Sequence, residues 1–461
     1  MFKKIICIFI AVSFVFIAAL SFAEEKNPDR KSSEKLIADI KFSPLLFLAS
    51  PDSRRVAYIA ENEKKKFVVV DGEKGKDYDF IASGLLFSPD SKHIAYGAQK
   101  DNKFVVVVDG IEGKTYDSIG SAIVFSPDGQ RLCYSVRAGN KGFVVLDGME
   151  GKKYDGIGTS LVFSPDSKRM AYGVKSDNNC FVVVDGREGK KYDSISSSIV
   201  FSPDSKRVAY WAQLGGKRFL VVDGHEGKHY DAVGNTIVFS PDSKRIAFLV
   251  LDGNKCFLVI DGQEGKRYDA VGKTILFSPD SKRTMYSAQS GKKRFAVIDG
   301  KEEKYHDGMG TTTVFSPNSK RFAYVAQKEK KYSVVIDGKD GKLFDAIGNG
   351  SLVFSPDSNH VAYSAQSGNK RFVVINGKEE KQFDDIGNKS LVFSPDSKYL
   401  AYVAQLNDKQ FVVVGAREEK FYDNIMILTM GRIVFDSLDR FHYLAVMNKG
   451  VYLVSVKIGN N

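Results

Sequence analysis

A segment that reads approximately FSPDSKRxAYxAQ…KFVVVDGxEGKxYDxIG recurs about every 38 residues from near Asp52 almost to the C-terminus. Such an array repeats one supersecondary unit that cannot bury its apolar faces alone, so neighbouring units must cover one another. The repeat therefore constrains the fold more than any single residue does. Its phenylalanine falls at Phe87, Phe125, Phe163, Phe201, Phe239, Phe277, Phe315, Phe354, Phe393 and, in a degenerate unit, Phe435.

One unit, residues 160–195, shows what each repeat can form. A short apolar run ends in Ser164-Pro165-Asp166-Ser167, a β-turn sequence. The third run, Phe181-Val182-Val183-Val184, is β-branched throughout, which indicates burial on both faces. The unit thus predicts a small four-stranded antiparallel sheet with two apolar faces. Radially stacked blades cover such sheets, so the sequence predicts an all-β β-propeller. A β-solenoid would not place four reversals in each period. The predicted strands of this unit are 161–163, 169–174, 181–184 and 191–195.

The FSPDSKRxAY segment resembles the WD40-like propeller repeat of TolB and of the propeller domains in prolyl-oligopeptidase and tricorn-type proteins. Those repeats carry a similar phenylalanine, SPDG/S turn and AY strand, and the resemblance covers nearly all of residues 45–440. It implies a propeller, and a TolB-like protein can dock to a separately encoded partner. The chain departs from TolB in lacking a separate N-terminal α/β domain, and from the peptidases in lacking their hydrolase domain.

Ten full units are present, and residues 431–458 supply about three strands of an eleventh. The segment 35–40 precedes the first SPD turn and is predicted to add the missing outer strand, which would join the two chain ends and cover an exposed sheet edge. The sequence therefore predicts about ten to eleven four-stranded blades, in a single large ring or two adjoining rings. No linker marks a boundary between two rings, which favours one. The expected domains are a signal peptide (1–23), a short linker (24–34) and the propeller (35–458).

The N-terminus has the layout of a secretory signal peptide. Lys3 and Lys4 precede an apolar run from Ile5 to Leu20, and small residues occupy the positions three and one before a cut after Ala23. We expect cleavage there, a periplasmic or secreted protein, and no stable membrane span afterwards. Retention of the segment as an anchor is the alternative.

The net charge excludes one class of partner and leaves another open. Residues 1–23 contain two lysines and no acid, which leaves 65 basic and 56 acidic residues, a net charge of +9. These charges are spread evenly through the turns, whereas nucleic-acid binders cluster them on one face. We expect that these charges only keep the surface solvated and that the protein does not bind nucleic acid. The alternative is that the positive charge attracts anionic polymers of the cell envelope.

An aspartate follows the tyrosine position near the end of every full unit, and this recurrence indicates a geometric need in each blade. We expect it to be structural, accepting backbone N–H bonds from the next two residues at the crossover into the following blade. Ion coordination is the alternative. These YD aspartates are Asp79, Asp117, Asp155, Asp193, Asp231, Asp269, Asp307, Asp345, Asp384 and Asp423.

No motif for nucleophilic or metal-dependent catalysis is present in the sequence. GxSxG, HExxH, CxxC and phosphate-loop patterns are all missing. His225 and His229 flank one hairpin, but no other unit repeats the pair. The sequence thus predicts no metal, no cofactor and no enzymatic activity.

Antiparallel order places the loops between second and third strands, together with the inter-blade crossovers, on one face of the disc. A recurring glutamine and several arginines collect there and could hydrogen-bond an extended polar ligand or a partner protein. The alternative is that these polar residues have no binding role and occur there only because strands end in solvent-exposed loops. The candidate binding residues are Gln99, Gln213, Arg218, Gln289, Arg294, Gln327, Gln366, Arg371 and Gln405.

These observations predict an exported, non-enzymatic propeller that acts as a binding scaffold for a protein or an anionic envelope polymer. Two alternatives remain. One is an enzyme, such as a lyase or glycan hydrolase, with a site in the central channel. The other is an accessory subunit of a separate transport or catalytic partner. The oligomeric state is left open.

Overall fold

The computed structural model describes residues 30–82, 84–426 and 432–459. Within these ranges the regular structure is entirely β, with 48 strands in eleven antiparallel sheets. The same ranges contain no helix long and apolar enough to cross a bilayer. The predicted signal peptide, its cleavage site after Ala23 and residues 24–29 of the predicted linker lie outside the described residues.

The described part of the chain begins with one strand that belongs to the last blade, and the first six blades follow in order. The bounds are β1 Arg30–Asp39; blade 1, β2 Leu46–Ala49, β3 Val56–Asn62, β4 Lys65–Val70 and β5 Glu73–Lys74; blade 2, β6 Phe80–Ile81, β7 Leu86–Phe87, β8 Ile94–Lys100, β9 Lys103–Val108 and β10 Ile111–Tyr116; blade 3, β11 Ser118–Phe125, β12 Leu132–Ala138, β13 Lys141–Leu146 and β14 Met149–Glu150; blade 4, β15 Gly156–Phe163, β16 Met170–Ser176, β17 Asn179–Val184 and β18 Arg187–Glu188; blade 5, β19 Ser194–Phe201, β20 Val208–Leu214, β21 Lys217–Val222 and β22 His225–Glu226; blade 6, β23 Ala232–Phe239, β24 Ile246–Asp252, β25 Lys255–Ile260 and β26 Gln263–Glu264.

The remaining five blades follow the same plan, with the innermost strand interrupted in blades 9, 10 and 11 as it is in blade 2. The bounds are blade 7, β27 Ala270–Phe277, β28 Thr284–Ser290, β29 Lys293–Ile298 and β30 Lys301–Glu302; blade 8, β31 Gly308–Phe315, β32 Phe322–Lys328, β33 Lys331–Ile336 and β34 Lys339–Asp340; blade 9, β35 Ala346–Ile347, β36 Val353–Phe354, β37 Val361–Ser367, β38 Lys370–Ile375 and β39 Lys378–Phe383; blade 10, β40 Asp385–Ile386, β41 Val392–Phe393, β42 Leu400–Leu406, β43 Lys409–Val414 and β44 Arg417–Glu418; blade 11, β45 Asn424–Ile425, β46 Val434–Phe435, β47 Arg440–Met447 and β48 Gly450–Ile458.

The SPD turns do more than reverse the chain, because they also connect neighbouring blades. In blade 4, Ser164 Oγ donates to Asp166 and accepts from the Arg169 N–H at 2.9 Å. The N–H of Asp166 donates to Ser205 Oγ in the SPD turn of blade 5, also at 2.9 Å. Ser205 adopts a positive φ of 65°. The same link recurs in most blades, so the repeated turn ties the ring together along one face.

Each blade buries its apolar side chains against the next blade, as two-faced sheets require. Between blades 4 and 5, for example, Ala171 and Val182 pack against Ile199, Tyr210 and Phe219. Equivalent clusters lie between every other pair of consecutive blades. A further cluster joins blade 11 to blade 1 through Leu444 and Val451 against Ala49 and Val56. The fold is thus one closed ring of eleven blades, and the predicted β-propeller is confirmed.

The strand β1 closes the ring by pairing antiparallel with β48 as the outer strand of blade 11. It starts at Arg30, five residues before the predicted propeller boundary at 35, so residues 30–34 of the predicted linker are strand. Glu34 accepts hydrogen bonds from Lys420 and from the Tyr422 hydroxyl, the latter at 2.6 Å. In blades 2, 3, 4 and 6 the glutamate of the DGxEGK hairpin makes the same contacts with the preceding blade, as Glu188 does with Lys152 and Tyr154. The N-terminal strand therefore supplies the side chain that blade 11 would otherwise lack.

Candidate binding site on the loop face

The two faces of the disc carry different chemistry. The turn face holds the SPD and DGxEGK turns. The loop face holds the loops between second and third strands and the crossovers between blades, as predicted.

The arginines that follow the SPD turns on the turn face form contacts between blades. Arg169 Nε donates to Asp185 in its own blade at 2.9 Å, and its Nη1 donates to the carbonyls of Ser205 and Lys206 in the next blade. Its guanidinium also lies 5.2 Å from the ring centre of Phe201. Arg55, Arg245, Arg283 and Arg321 repeat these contacts. The charges of these five arginines are therefore already matched within the protein.

The YD aspartates lie on the loop face and connect neighbouring blades. Asp155 accepts from Lys141 Nζ of blade 3 at 2.6 Å and from the Asp177 N–H in the loop of blade 4 at 2.9 Å. The lysine contact recurs at Asp79, Asp117, Asp231, Asp269, Asp345, Asp384 and Asp423. The loop N–H contact recurs at Asp79, Asp117, Asp193, Asp269, Asp307, Asp345, Asp384 and Asp423.

This geometry corrects one detail of the sequence interpretation. The backbone donor lies about 22 residues downstream in the next blade rather than in the two residues that follow the aspartate. The Lys141 hydrogen bond, followed by the Asp177 N–H, holds the pKa of Asp155 below its ordinary value. The lysines that start the third strands are thereby neutralised, so they add little to the charge of the loop face.

The predicted glutamines and arginines do lie on the loop face, and three pairs come together across the second and third strands. Gln213 faces Arg218, Gln289 faces Arg294, and Gln366 faces Arg371. In each pair the arginine Nε donates to the glutamine Oε1, at 3.4, 3.0 and 3.4 Å respectively. Gln99, Gln327 and Gln405 occupy the same position but face Phe104, Tyr332 and Gln410.

Only two of the three paired arginines keep an unneutralised charge. Arg371 forms an ion pair with Asp385. Arg218 and Arg294 are exposed, and among the described residues their side chains bond a neutral amide rather than a carboxylate. These two arginines, in blades 5 and 7, are therefore able to pair with an anion.

The central channel is lined by the innermost strands, since the first strands of neighbouring blades contact one another. Exposed positions on this wall carry hydroxyl, amide and ammonium groups. At the six positions named below they can donate and accept hydrogen bonds, but none of the six is a carboxylate or imidazole that would act as a general acid or base near neutral pH. The residues at this position in six consecutive blades are Thr159, Ser197, Asn235, Lys273, Thr311 and Asn349.

One cavity of about 270 Å³ opens between blades 5 and 6, where the channel wall meets the loop face. Ser194, Ser196 and Ser197 line one side, and Gln213 and Arg218 line another. Ile195, Val233 and Asn235 also contribute to the wall. The cavity thus brings two of the predicted binding residues together with hydroxyl groups that the sequence analysis did not single out.

The floor of this cavity includes Trp211, the one tryptophan of the chain. Its side chain is only 3% exposed and packs edge to face on Phe248 of blade 6, with ring centres 5.2 Å apart. Its Nε1 is buried without a hydrogen-bond acceptor among the described residues. Phe248 occupies the AY position, which is tyrosine in every other blade.

Sequence reasoning treated the blades as equivalent and so missed Trp211. The signal was present, because the other blades carry glycine, serine or an aliphatic residue at this position. A second signal lay in the crossover, where Ser196 replaces a glycine found in seven other blades. Departures from the repeat, rather than the repeat itself, mark the one blade that differs.

Comparisons with known proteins give only distant structural similarities. No family model matches the chain, and no curated protein matches it. Similar solved structures include a eukaryotic initiation factor, at 16% identity and a TM-score of 0.41, with 72% of this chain and 97% of that chain covered. The Dos1 propeller is similar at 13% identity and a TM-score of 0.34, covering 64% and 92%. TolB from Acinetobacter baumannii is similar at 17% identity and a TM-score of 0.27, covering 47% and 64%.

Proposed function

We propose that the protein is an exported, non-enzymatic binding scaffold whose loop face holds an extended anionic polymer of the cell envelope. The observation that carries the proposal is the pair of exposed arginines, Arg218 and Arg294, which are oriented by neutral glutamines and lack a carboxylate partner among the described residues. Elsewhere on the same face, the basic side chains that start the third strands are mostly matched to the YD aspartates. Two unmatched charges two blades apart suit a ligand that spans several blades.

Export is supported by the N-terminal pattern of the sequence. If residues 1–23 are a signal peptide, the mature protein begins at Glu24. N-terminal sequencing of protein recovered from the periplasm or the medium tests this. A chain that still begins at Met1 contradicts cleavage.

The binding proposal is tested with polygalacturonate and poly-L-glutamate as two anionic polymers. The double variant Arg218→Gln/Arg294→Gln removes two surface contacts that contribute at most about 1 kcal/mol each, so binding should weaken by up to about thirtyfold. Binding by the wild type should also weaken as salt is added, since the contacts are exposed.

A matched control removes equal charge from the same two blades on the opposite face. Lys206 and Lys282 lie in the SPD turns of blades 5 and 7. The variant Lys206→Gln/Lys282→Gln should bind as the wild type does. Equal losses in both double variants would show that only net charge matters, and the loop-face proposal would be wrong.

A further inference from the structure

The cavity between blades 5 and 6 combines features that suit one small ligand rather than a long one. Its volume of about 270 Å³ lies just below the range of about 300–1,000 Å³ that is usual for drug-sized ligands. A molecule the size of a monosaccharide would fill it.

The polar groups around the cavity are arranged to face a ligand. Gln213 Oε1 accepts from Ser194 Oγ at 3.3 Å and from Arg218 Nε at 3.4 Å. At the equivalent positions Gln289, Gln327 and Gln366 donate their Nε2 groups to a carbonyl of their own loop. Gln213 makes no such bond among the described residues, so its amide donor is left for a ligand.

Three further observations indicate that the ligand is acidic and carries hydroxyl groups. The guanidinium of Arg218 has no carboxylate partner in the described part of the chain, which suits a ligand carboxylate. The hydroxyl of Ser197 and the amide of Asn235 suit ligand hydroxyls, because each can both donate and accept. Ser196 Oγ already donates to the Ser198 carbonyl at 3.3 Å and accepts the Ser198 N–H at 3.1 Å, so it offers a ligand only a remaining lone pair. Val233 and Ile195 offer apolar contact to the C–H groups of a sugar ring.

Trp211 adds a buried indole to the wall of this cavity, and its N–H is one of several buried polar groups without a partner among the described residues. A buried indole N–H normally has an acceptor, and a buried donor left without one costs about 1–3 kcal/mol. The Trp211 Nε1 has none among the described residues, yet the side chain lines the cavity. A ligand oxygen, or a water that the ligand displaces, would satisfy it.

We infer that the cavity at the junction of blades 5 and 6 binds one acidic monosaccharide unit, a uronic acid, through Arg218, Gln213 and the serine hydroxyls above Trp211. The inference deepens the proposed function and rests on it, since the acidic sugar is one unit of the bound polymer. The other blades lack this combination, because they have no tryptophan and mostly carry a glycine in place of Ser196. The ring therefore holds its polymer at one specific subsite and by charge alone elsewhere.

The single tryptophan makes the test direct, because indole fluorescence reports on this cavity alone. Galacturonate should change the emission of the wild type in a saturable manner, whereas galactose and acetate should not do so at the same concentrations. Arg218→Gln should weaken galacturonate binding by up to about fivefold through loss of an exposed charge-assisted hydrogen bond. Lys282→Gln, which removes a positive charge from the turn face of blade 7, should have no effect.

Calorimetry provides a second measurement that does not depend on the tryptophan. Trp211→Leu introduces the residue that blades 6 and 11 carry at this position, Leu249 and Leu444, and should therefore fold. It should lose the heat of galacturonate binding.

Three results would each overturn the inference. The wild type could give no galacturonate signal, galactose or acetate could bind as well as galacturonate does, or neither Arg218→Gln nor Trp211→Leu could change galacturonate binding. If the protein binds polygalacturonate but not galacturonate, this subsite is refuted and the proposed function stands. If it binds galacturonate but not polygalacturonate, the proposed function is refuted and the cavity remains a site for the free sugar acid.

Discussion

At the scale of single residues, the YD aspartates hold the loop face in register. Each carboxylate that has both contacts reaches a lysine of one blade and a loop N–H of the next, so it acts across the interface rather than within its own turn. The sequence showed this aspartate in each of the ten full repeat units. It could not show the donor, because the partner loop approaches only once two blades are packed side by side.

Asp155 offers a direct test of this role. Asp155→Asn keeps an oxygen that can accept the Asp177 N–H, so its midpoint of thermal unfolding should stay close to that of the wild type. Asp155→Ala leaves that loop donor without its acceptor and should lower the midpoint clearly more. Under the metal alternative, a chelator would destabilise the wild type, so chelator sensitivity would contradict the structural role.

The same carboxylates predict how stability depends on pH. Hydrogen bonds from lysines, followed by loop N–H groups, hold the pKa values of Asp117, Asp155 and Asp269 below the ordinary 3.8. A lowered pKa in the folded state contributes stability above the unfolded value, and this is lost as the pH falls through the folded value. The unfolding midpoint should therefore be flat above about pH 5 and fall below about pH 4. A midpoint that rises on acidification would contradict this assignment.

At the scale of elements, β1 shows how a strand outside the repeat can complete it. The sequence placed a closing strand at residues 35–40, and the structure extends it to Arg30–Asp39. Its most specific residue, Glu34, fell in the predicted linker. The reason is that Glu34 imitates a hairpin glutamate from a strand that shares no repeat motif, so only the register with β48 reveals the match.

A corresponding change in blade 1 supports this reading of Glu34. Blade 1 carries Lys74 where the next blades carry the hairpin glutamate, such as Glu112. A hairpin glutamate contacts the Tyr-Asp segment of the preceding blade. The blade that precedes blade 1 in the ring is blade 11, which ends in β1 and has no such segment. The position thus departs from the repeat at the interface where its partners are missing.

A charge exchange tests the contact of β1. Glu34→Lys places a cation beside Lys420 and removes the acceptor of the Tyr422 hydroxyl, so it should destabilise the protein by about 1–2 kcal/mol. Adding Lys420→Glu should recover part of that loss by restoring the ion pair. Chemical unfolding of both variants measures the two effects. Equal stability of the single and double variants would show that the pair does not help to hold β1.

At the scale of the whole molecule, the ring is a sum of nearly identical interfaces with one exception. The interface between blades 11 and 1 is not made by the repeat alone. Arg54 and His442 both contact Asp436, and the His442 Nε2 lies 2.7 Å from the Asp52 carbonyl. The repeat therefore predicted the blade, but the number of blades depends on how the two chain ends meet.

Deletion of one complete repeat tests this division of roles. Removing residues 155–192 deletes blade 4 and joins Tyr154 to Asp193. Glu226 then becomes the partner of Lys152 and Tyr154, and Asp193 becomes the partner of Lys141. Because each blade contacts mainly its neighbours, a closed ring of ten blades should form, with cooperative thermal unfolding and a smaller radius in X-ray scattering.

Removing residues 155–173, half a repeat, breaks the sheet order and should abolish folding. Removing only residues 24–39 exposes the edge of β48 and should cost several kcal/mol, more than the loss of a whole internal blade. If the full-repeat deletion unfolds as completely as the half-repeat deletion does, the interfaces are not interchangeable and the blade number is fixed by the individual blades rather than by the chain ends.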